Sequence, residues 1–510
     1  MFGSEQNGYV TLAPFAALGV DVGTTNTKVA LAVLGDAVRE ERTLTVPTPR
    51  SGEALQAVVL GAIREVAVDS PYPVAALGVA SMGETGSLIG PDGEPRGDLL
   101  RWADGDGATA DRLVAAAGAQ ALYEATGVPA PHKSPLTHWL RLAADDDPRL
   151  ADARWLGVDA LIVSALTGEA ATDHTLAART MAYRLPAAGH PLADGFDADL
   201  LGLAGLTPDR FPRVALPGEA AGTLTEHASA ALGLPAGLPV VVAGHDHAVG
   251  AWAAGAREPG DAADSVGTAE ALLRIAGDAG RRDCDDVGRD TGRDISLDEA
   301  RRAGMSLARG VEGRHLTLLA GNPTAGALVE WAFAELIPGA DRRDVLQQAR
   351  TLADGPLDAF LLPYLRGRQS PAPDASASLR LVQLGERPTA DPAATLTAVL
   401  TGLALQLAWM DAVQTQLAGP RRPELAVLGG PGAANDAWWR LKQRLVPGIL
   451  RRADVAEPVA TGAALLAAHR VAGLTTSLPL RSADSVASAG DPALLDAFVG
   501  AATPDRKVPA

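Results

Sequence analysis

The apolar positions of this chain fall into short runs separated by polar turns. Leu18–Val20 leads into Asp21-Val22-Gly23-Thr24-Thr25-Asn26-Thr27-Lys28, and Val29–Leu34 follows. Two apolar runs around a Gly/Thr turn predict a β-hairpin whose turn can hold a ligand. Helical periodicity predicts a helix over Leu55–Val68, and Val74–Ser81 reads as a buried strand with a turn at Pro91-Asp92-Gly93. Further helices are expected over Ala108–Ala117, Pro135–Ala144, Val158–Leu166, Ala248–Gly255, Gly326–Leu336, Leu396–Leu417, Ala437–Val446 and Ala460–Ala472. Pro239–Ala243 and Glu424–Leu428 read as strands, the second ending in Gly429-Gly430-Pro431-Gly432. Arg281–Arg302 is charged and apolar-poor, which suggests a surface excursion, and the tail from Pro479 suggests a loose surface helix. Strands alternating with helices argue an α/β fold.

The opening pattern returns. Asp264-Ser265-Val266-Gly267-Thr268-Ala269-Glu270 is followed by apolar Ala271–Ile275, with Gly267 lying 244 residues after Gly23. A hairpin repeated at half-chain spacing suggests two related domains. Each would offer one phosphate-holding turn, with a site between them.

Composition narrows the class. A length of 510 residues gives a prior of two to four domains, and 47% hydrophobic with 21% charged residues is globular. The net charge of −17 argues against non-specific nucleic-acid binding, though not against a phosphorylated ligand held by backbone N–H groups. The one cysteine, Cys284, excludes an intrachain disulfide and a cysteine zinc cage, and it fits a reducing, cytoplasmic setting. Only four of the 44 basic residues are lysine; the other 40 are arginine, a bias consistent with a GC-rich coding sequence. The longest apolar runs are strand-sized, so no membrane span is expected. Met1–Pro14 lacks the features of a signal peptide and reads as a disordered lead-in or a misassigned start.

Four segments could carry chemistry. In Asp21–Lys28, Gly23 permits close approach, Thr24 and Thr25 add hydroxyls, Asp21 can hold Mg²⁺ through water and Lys28 adds positive charge. An ordinary hairpin turn explains the same residues, and Walker A spacing is absent. In Gly244-His245-Asp246-His247, Asp246 is placed to act as a general base; it could equally cap the following helix. A His-x-His metal site is disfavoured, because no third ligand is evident and in a strand Asp246 would point away from both imidazoles. Ser81-Met82-Gly83-Glu84-Thr85 and Trp102-Ala103-Asp104 supply two carboxylates and an indole, which suit a polyhydroxy ligand; solvated carboxylates are the plain alternative. Gly429-Gly430-Pro431-Gly432-Ala433-Ala434-Asn435 fits either a nucleotide approached by backbone or a tight strand-to-helix turn.

Taken in order, these segments resemble the FGGY family of carbohydrate kinases, of the sugar kinase, actin and Hsp70 superfamily, over about residues 18–474. Asp21–Lys28 resembles the first phosphate motif, and Gly267-Thr268 the second. Val79–Thr85 with Trp102–Asp104 resembles the sugar-binding segment, and Thr172-Asp173 the family's Thr-Asp element. Gly244–Gly250 resembles the catalytic-aspartate motif, and Gly429–Trp439 the adenosine motif. Pro431 and Ala434 depart from that last motif, and Arg366–Pro371 only approximates a family stretch. Met82-Gly83-Glu84-Thr85 stands where xylulokinases have Gln-Met-His-Gly, and Gly83 stands where glycerol kinases place Arg.

The resemblance is closest in style to xylulokinase-like members. It implies two actin-like (ribonuclease H-like) domains, each with a mixed five-stranded sheet, around a hinged cleft. The expected division is a lead-in over 1–16, a sugar- and phosphate-binding domain over 17–254, a nucleotide-binding domain over 255–474 and a tail over 475–510. It implies ATP-dependent phosphorylation of a hydroxyl of a sugar, ketose or polyol, with glycerol a poor acceptor. Asp246 would be the catalytic base, and Glu84, Trp102, Asp104, Asp246 and His247 would bind the acceptor. Asp21, Gly23, Thr24, Thr25, Lys28, Gly267, Thr268, Gly429, Gly430, Gly432 and Asn435 would bind ATP, and Asp21 and Asp246 would hold Mg²⁺. No nucleic acid or membrane partner is implied, and a homodimer is the assembly left open. A non-catalytic actin-like sugar sensor, or an enzyme with water as acceptor, are the alternatives.

Overall fold

The computed structural model describes residues 14–187, 190–277, 295–385, 391–429, 435–481 and 487–504. Phe15–Val22 and Asn26–Leu34 pair antiparallel with Asp21 opposite Lys28, so the first expected hairpin forms. Val38–Pro47 extends that side antiparallel. Val74–Ser81 and then Pro239–His245 add in parallel on the other side, and short Gly222–Thr223 closes that edge. The second sheet runs, in spatial order, Ser306–Arg309, Leu316–Asn322, Glu270–Ile275, Ala262–Val266, Glu424–Leu428 and Ile449–Arg452. Its hairpin is again antiparallel, and Glu424–Leu428 is again the parallel neighbour. Five strands therefore recur in one order, as the repeated hairpin implies. Each sheet has six strands, not the expected five. The additions lie at opposite edges: Gly222–Thr223 beyond the parallel strands, Ser306–Arg309 beyond the antiparallel ones.

The parallel strands are apolar throughout because helices cover both faces; Val20, Val79 and Val240–Val242 are fully buried. One covering helix crosses between the halves. Pro458–Ala472 lies on the first sheet so closely that a Cβ on Gly19 would sit 1.9 Å from the Ala460 carbonyl oxygen, and one on Gly78 would sit 2.1 Å from that of Ala463. Only glycine allows this contact. Glu40, on the first sheet, accepts from the backbone N–H groups of Ala456 (3.1 Å) and Glu457 (3.0 Å) and from the Thr461 hydroxyl (2.8 Å). The first half thus caps a helix that the second half contributes.

Three expectations need correction. The helix at 396–417 is longer, Pro392–Ala418, and is apolar enough to cross a membrane by length and composition. It is instead a core helix, with 89% of its apolar window buried in the second domain. The tail is not loose: Pro492–Ala502 buries Phe498 against Phe360 and Trp409, with ring centroids 5.4 and 6.3 Å apart. Of the charged excursion, Ile295 and Ala300 are buried in the second core. Residues 278–294, including Cys284, and residues 1–13 lie outside the described residues.

Candidate active site

A cleft of about 800 Å³ separates the two sheets and is lined from both halves. The two Gly-Thr turns face each other across it, with the Thr25 and Thr268 hydroxyl oxygens 3.5 Å apart. Each turn is closed by its glycine N–H, from Gly23 to the Asn26 carbonyl (3.1 Å) and from Gly267 to the Ala269 carbonyl (2.8 Å). A Cβ on Gly23 would lie 2.8 Å from that Asn26 oxygen, so the tight turn needs glycine. Lys28 Nζ donates to Asp21 Oδ2 at 3.0 Å, while Asp21 Oδ1 is buried with no hydrogen-bond partner. Burial raises the Asp21 pKa, Lys28 opposes the rise and the Asp246 charge adds to it. The Asp21 charge in turn raises that of Lys28.

The strand Pro239–His245 changes register between Val242 and Gly244, and Gly244 adopts φ +127°. A Cβ there would meet Thr175 Oγ1 at 2.6 Å and Asp173 Oδ2 at 3.0 Å. Thr175 Oγ1 also accepts the His245 N–H at 2.8 Å. The bulge and this anchor aim the next residues into the cleft. The helix begins at Asp246, two residues earlier than expected, and Asp246 Oδ1 accepts the His247 N–H at 2.6 Å. Burial opposes ionisation of Asp246, but His247, His245, that N–H and Lys28 outweigh it and hold the carboxyl below its usual range. Burial pushes the His245 imidazole down to about 4, so it is neutral at pH 7.

Because the strand ends at His245, alternation no longer applies. His245, Asp246 and His247 bring one ligand atom each within 4.8 Å of one another, so Asp246 does not point away from the imidazoles. For Mg²⁺ the better donors are carboxylate oxygens. The unpartnered Asp21 Oδ1 and the partly buried Asp246 carboxylate fit that requirement.

One wall of the cleft carries Glu84, Trp102, Lys133 and Arg179. Glu84 is held at φ +55°, a costly conformation for a residue with a side chain. Its Oε1 accepts from Arg179 Nε at 2.8 Å and from a terminal nitrogen of the same guanidinium. A Cβ on Gly83 would lie 2.7 Å from Arg179 Cγ. Gly83 therefore vacates the space that Arg179 fills, and the cation absent at position 83 arrives from 96 residues away. Trp102 Nε1 donates to Thr24 Oγ1 at 3.0 Å, which ties this wall to the first Gly-Thr turn. Asp104 does not belong to this set. Arg101 holds it at 2.8 and 2.6 Å, and its side chain is 49% exposed outside the cleft lining.

On the opposite side Gly429 lines the cleft, whereas Gly430 and Gly432 lie outside the described residues. Asn435 caps the helix Asp436–Leu445, accepting the Trp438 N–H at 3.1 Å, and is not in the cleft lining. That helix supplies a group the sequence did not announce. Lys442 is fully buried, with its ammonium against Asp264 and 2.6 Å from Glu270 Oε1. Asp264 and Glu270 flank the second Gly-Thr turn, so Lys442 joins that turn to the helix. Burial raises Glu270 to about 7.

Gluconate kinase from Lactobacillus acidophilus superposes with a TM-score of 0.77 at 19% identity over 96% of both chains. Ligand-bound xylulose kinase from the same organism gives 0.78 at 19% identity over 96% of this chain and 98% of that one. This is the two-domain actin-like fold. The FGGY N-terminal domain model matches residues 16–253 and the FGGY C-terminal domain model residues 299–471, so the chain belongs to the FGGY family of carbohydrate kinases. Xylulose kinase of Streptomyces rubiginosus is 28% identical over 89% of this chain and 88% of its own length. L-fuculokinase of Escherichia coli (strain K12) is 32% identical over 39% of this chain, a match spanning 41% of that protein's length.

Proposed function

We propose that this chain transfers the γ-phosphoryl group of ATP to a hydroxyl of a sugar, ketose or polyol. The observation that carries the reading is the partly buried Asp246 carboxylate, which lines one cleft with the two Gly-Thr turns, Glu84 and Trp102. Gly23, Thr24, Thr25, Gly267 and Thr268 offer backbone N–H groups and hydroxyls to the phosphates, and Lys28 adds a positive charge. Asp21 and Asp246 are the residues that would hold Mg²⁺, which when bound neutralises charge on the phosphates. Asp246 takes the acceptor's hydroxyl proton as its oxygen attacks phosphorus in line. Glu84, Arg179, Trp102 and His247 orient the acceptor, so that positioning and charge supply most of the rate. Residues 17–254 closing on 255–474 would exclude water, the competing acceptor. A cytoplasmic location would supply the ATP.

The test is ADP release from Mg²⁺-ATP across a panel of ketoses, polyols and sugar acids. At least one should raise release well above the sugar-free rate, with a phosphate monoester formed in step. Folded, ATP-binding protein that no member stimulates would instead be a sensor.

A further inference from the structure

We propose that the acceptor carries a carboxylate: the substrate class is a sugar acid, and Lys133 receives its acidic group. The proposal rests on the kinase reading above and narrows its acceptor.

Lys133 ends a short turn, Pro131–Lys133, and its ammonium stands over the Trp102 ring, 5.2 Å from the centroid. It lines the cleft beside Glu84 and Arg179. The charges on this wall do not cancel. Glu84 and Arg179 neutralise each other. Asp246 is committed to the reacting hydroxyl. Lys133 is left over. Among the described residues no carboxylate lies in ion-pair range of it, and its acceptor is the amide oxygen of Gln369, from the other half of the chain. Burial lowers its pKa; the Glu84 charge opposes that fall and the Arg179 charge adds to it, so the ammonium is not fully compensated.

Lysine usage sharpens the point. The chain has four lysines against 40 arginines. Three lie among the described residues, and all three are at the cleft or directly beneath it. Lys28 is paired with Asp21, and Lys442 with Asp264 and Glu270. Lys133 alone of these three has only a neutral partner. A charge-assisted hydrogen bond is roughly twice as strong as a neutral one, so an incoming carboxylate gains what the Gln369 amide cannot give. One compact ammonium matches the single charge of a carboxylate better than the nearly double charge of a phosphate.

The test compares kcat/KM by ADP release for matched pairs that differ only in the acid: D-gluconate against D-glucitol, and D-xylonate against xylitol. D-xylulose and D-glucose 6-phosphate complete the set. The wild type should prefer the acid of a pair by roughly tenfold or more, the usual worth of a hydrogen bond to a charged group. Lys133→Met should bring the ratio close to one. Gln369→Glu, which gives Lys133 a carboxylate from within the protein, should do the same while keeping the lysine. A merely structural role would lower both members of a pair alike and leave the ratio unchanged, and thermal melting reports whether each variant is folded. Preference for the neutral members or for the sugar phosphate would overturn the proposal, as would a ratio that survives either substitution. If neutral sugars are phosphorylated and acids are not, the kinase reading stands and this one falls. If neither kind releases ADP, the kinase reading itself has failed.

Discussion

The hydroxyls of Thr25 and Thr268 stand 3.5 Å apart, although 243 residues separate them in sequence. Each belongs to the turn of a hairpin that heads its own sheet, so the repeat has brought two copies of one device face to face. Phosphates held there would be gripped from both domains. Thr268→Val removes one hydroxyl at constant shape. The KM for ATP should rise by about tenfold, the worth of a hydrogen bond to a charged group, with the sugar KM nearly unchanged. Steady-state kinetics with each substrate varied in turn checks this, and an effect confined to the sugar would assign the turn elsewhere.

The Glu84–Arg179 pair predicts where acceptor affinity resides. Glu84→Ala should raise the sugar KM far more than the ATP KM. Gly83→Ala should act in the same direction, because its Cβ would press on Cγ and Cβ of Arg179 rather than on a free end of that side chain. Asp104→Ala should do little, since a half-exposed surface pair is worth about 0–1 kcal/mol. An Asp104 variant as impaired as the Glu84 variant would show the pair to be misassigned.

Lys442 predicts a stability effect that depends on pH. Lys442→Met leaves Asp264 and Glu270 buried together without a counter-charge, and breaking such a pair costs about 3–5 kcal/mol. Both carboxyl groups have raised pKa values, Glu270 to about 7. Acid therefore neutralises the stranded charge, and the deficit should shrink as pH falls from 7.5 to 5.5. Urea unfolding at the two pH values measures it; an equal deficit at both would mean that the charges are not the cause.

His245 titrates near 4 in the fold, against about 6.5 for an unfolded histidine. Between these values the unfolded chain binds more protons, so acid favours unfolding. The contribution is intact above pH 6.5 and is lost as pH falls toward 4, with a full size on the order of 3 kcal/mol. His245→Gln is neutral throughout and should lose less stability between pH 7 and pH 5 than the wild type does. Parallel acid sensitivity in the two proteins would mean that the imidazole is not held neutral.

What could be read from the sequence was what is encoded locally. Strand–turn–strand patterns gave both hairpins, and Gly244 and Gly429 marked where the strands Pro239–His245 and Glu424–Leu428 end at the cleft. Asp246, Glu84 and Trp102 lie on such segments, and the structure brings all three to the cleft. Asp104 sits two residues after Trp102, but spacing cannot tell that Arg101 turns its carboxylate outward. Arg179, Lys133 and Lys442 were missed because their partners lie 95 to 236 residues away. A signal existed for the lysines: in a chain that uses arginine almost everywhere, each lysine marks a place where arginine does not serve. A second signal lay in Gly19 and Gly78. Glycines inside buried strands announce a close backbone approach, here that of Pro458–Ala472. The tail misled because its apolar residues sit among alanines, and Phe498 finds its pocket only through tertiary packing.

The central claim is that Asp246 accepts the proton of a sugar hydroxyl as phosphorus is transferred. It is tested most directly by ³¹P NMR of the reaction, with Mg²⁺-ATP and the best acceptor of the panel, for the wild type and Asp246→Asn. The wild type should produce ADP and a phosphate monoester in equal amounts, with little inorganic phosphate. Asn keeps the size and loses the base, so the monoester should form at least about 100-fold more slowly while ATP affinity is retained. Inorganic phosphate as the main wild-type product, or a near-native monoester rate from Asp246→Asn, would contradict the account.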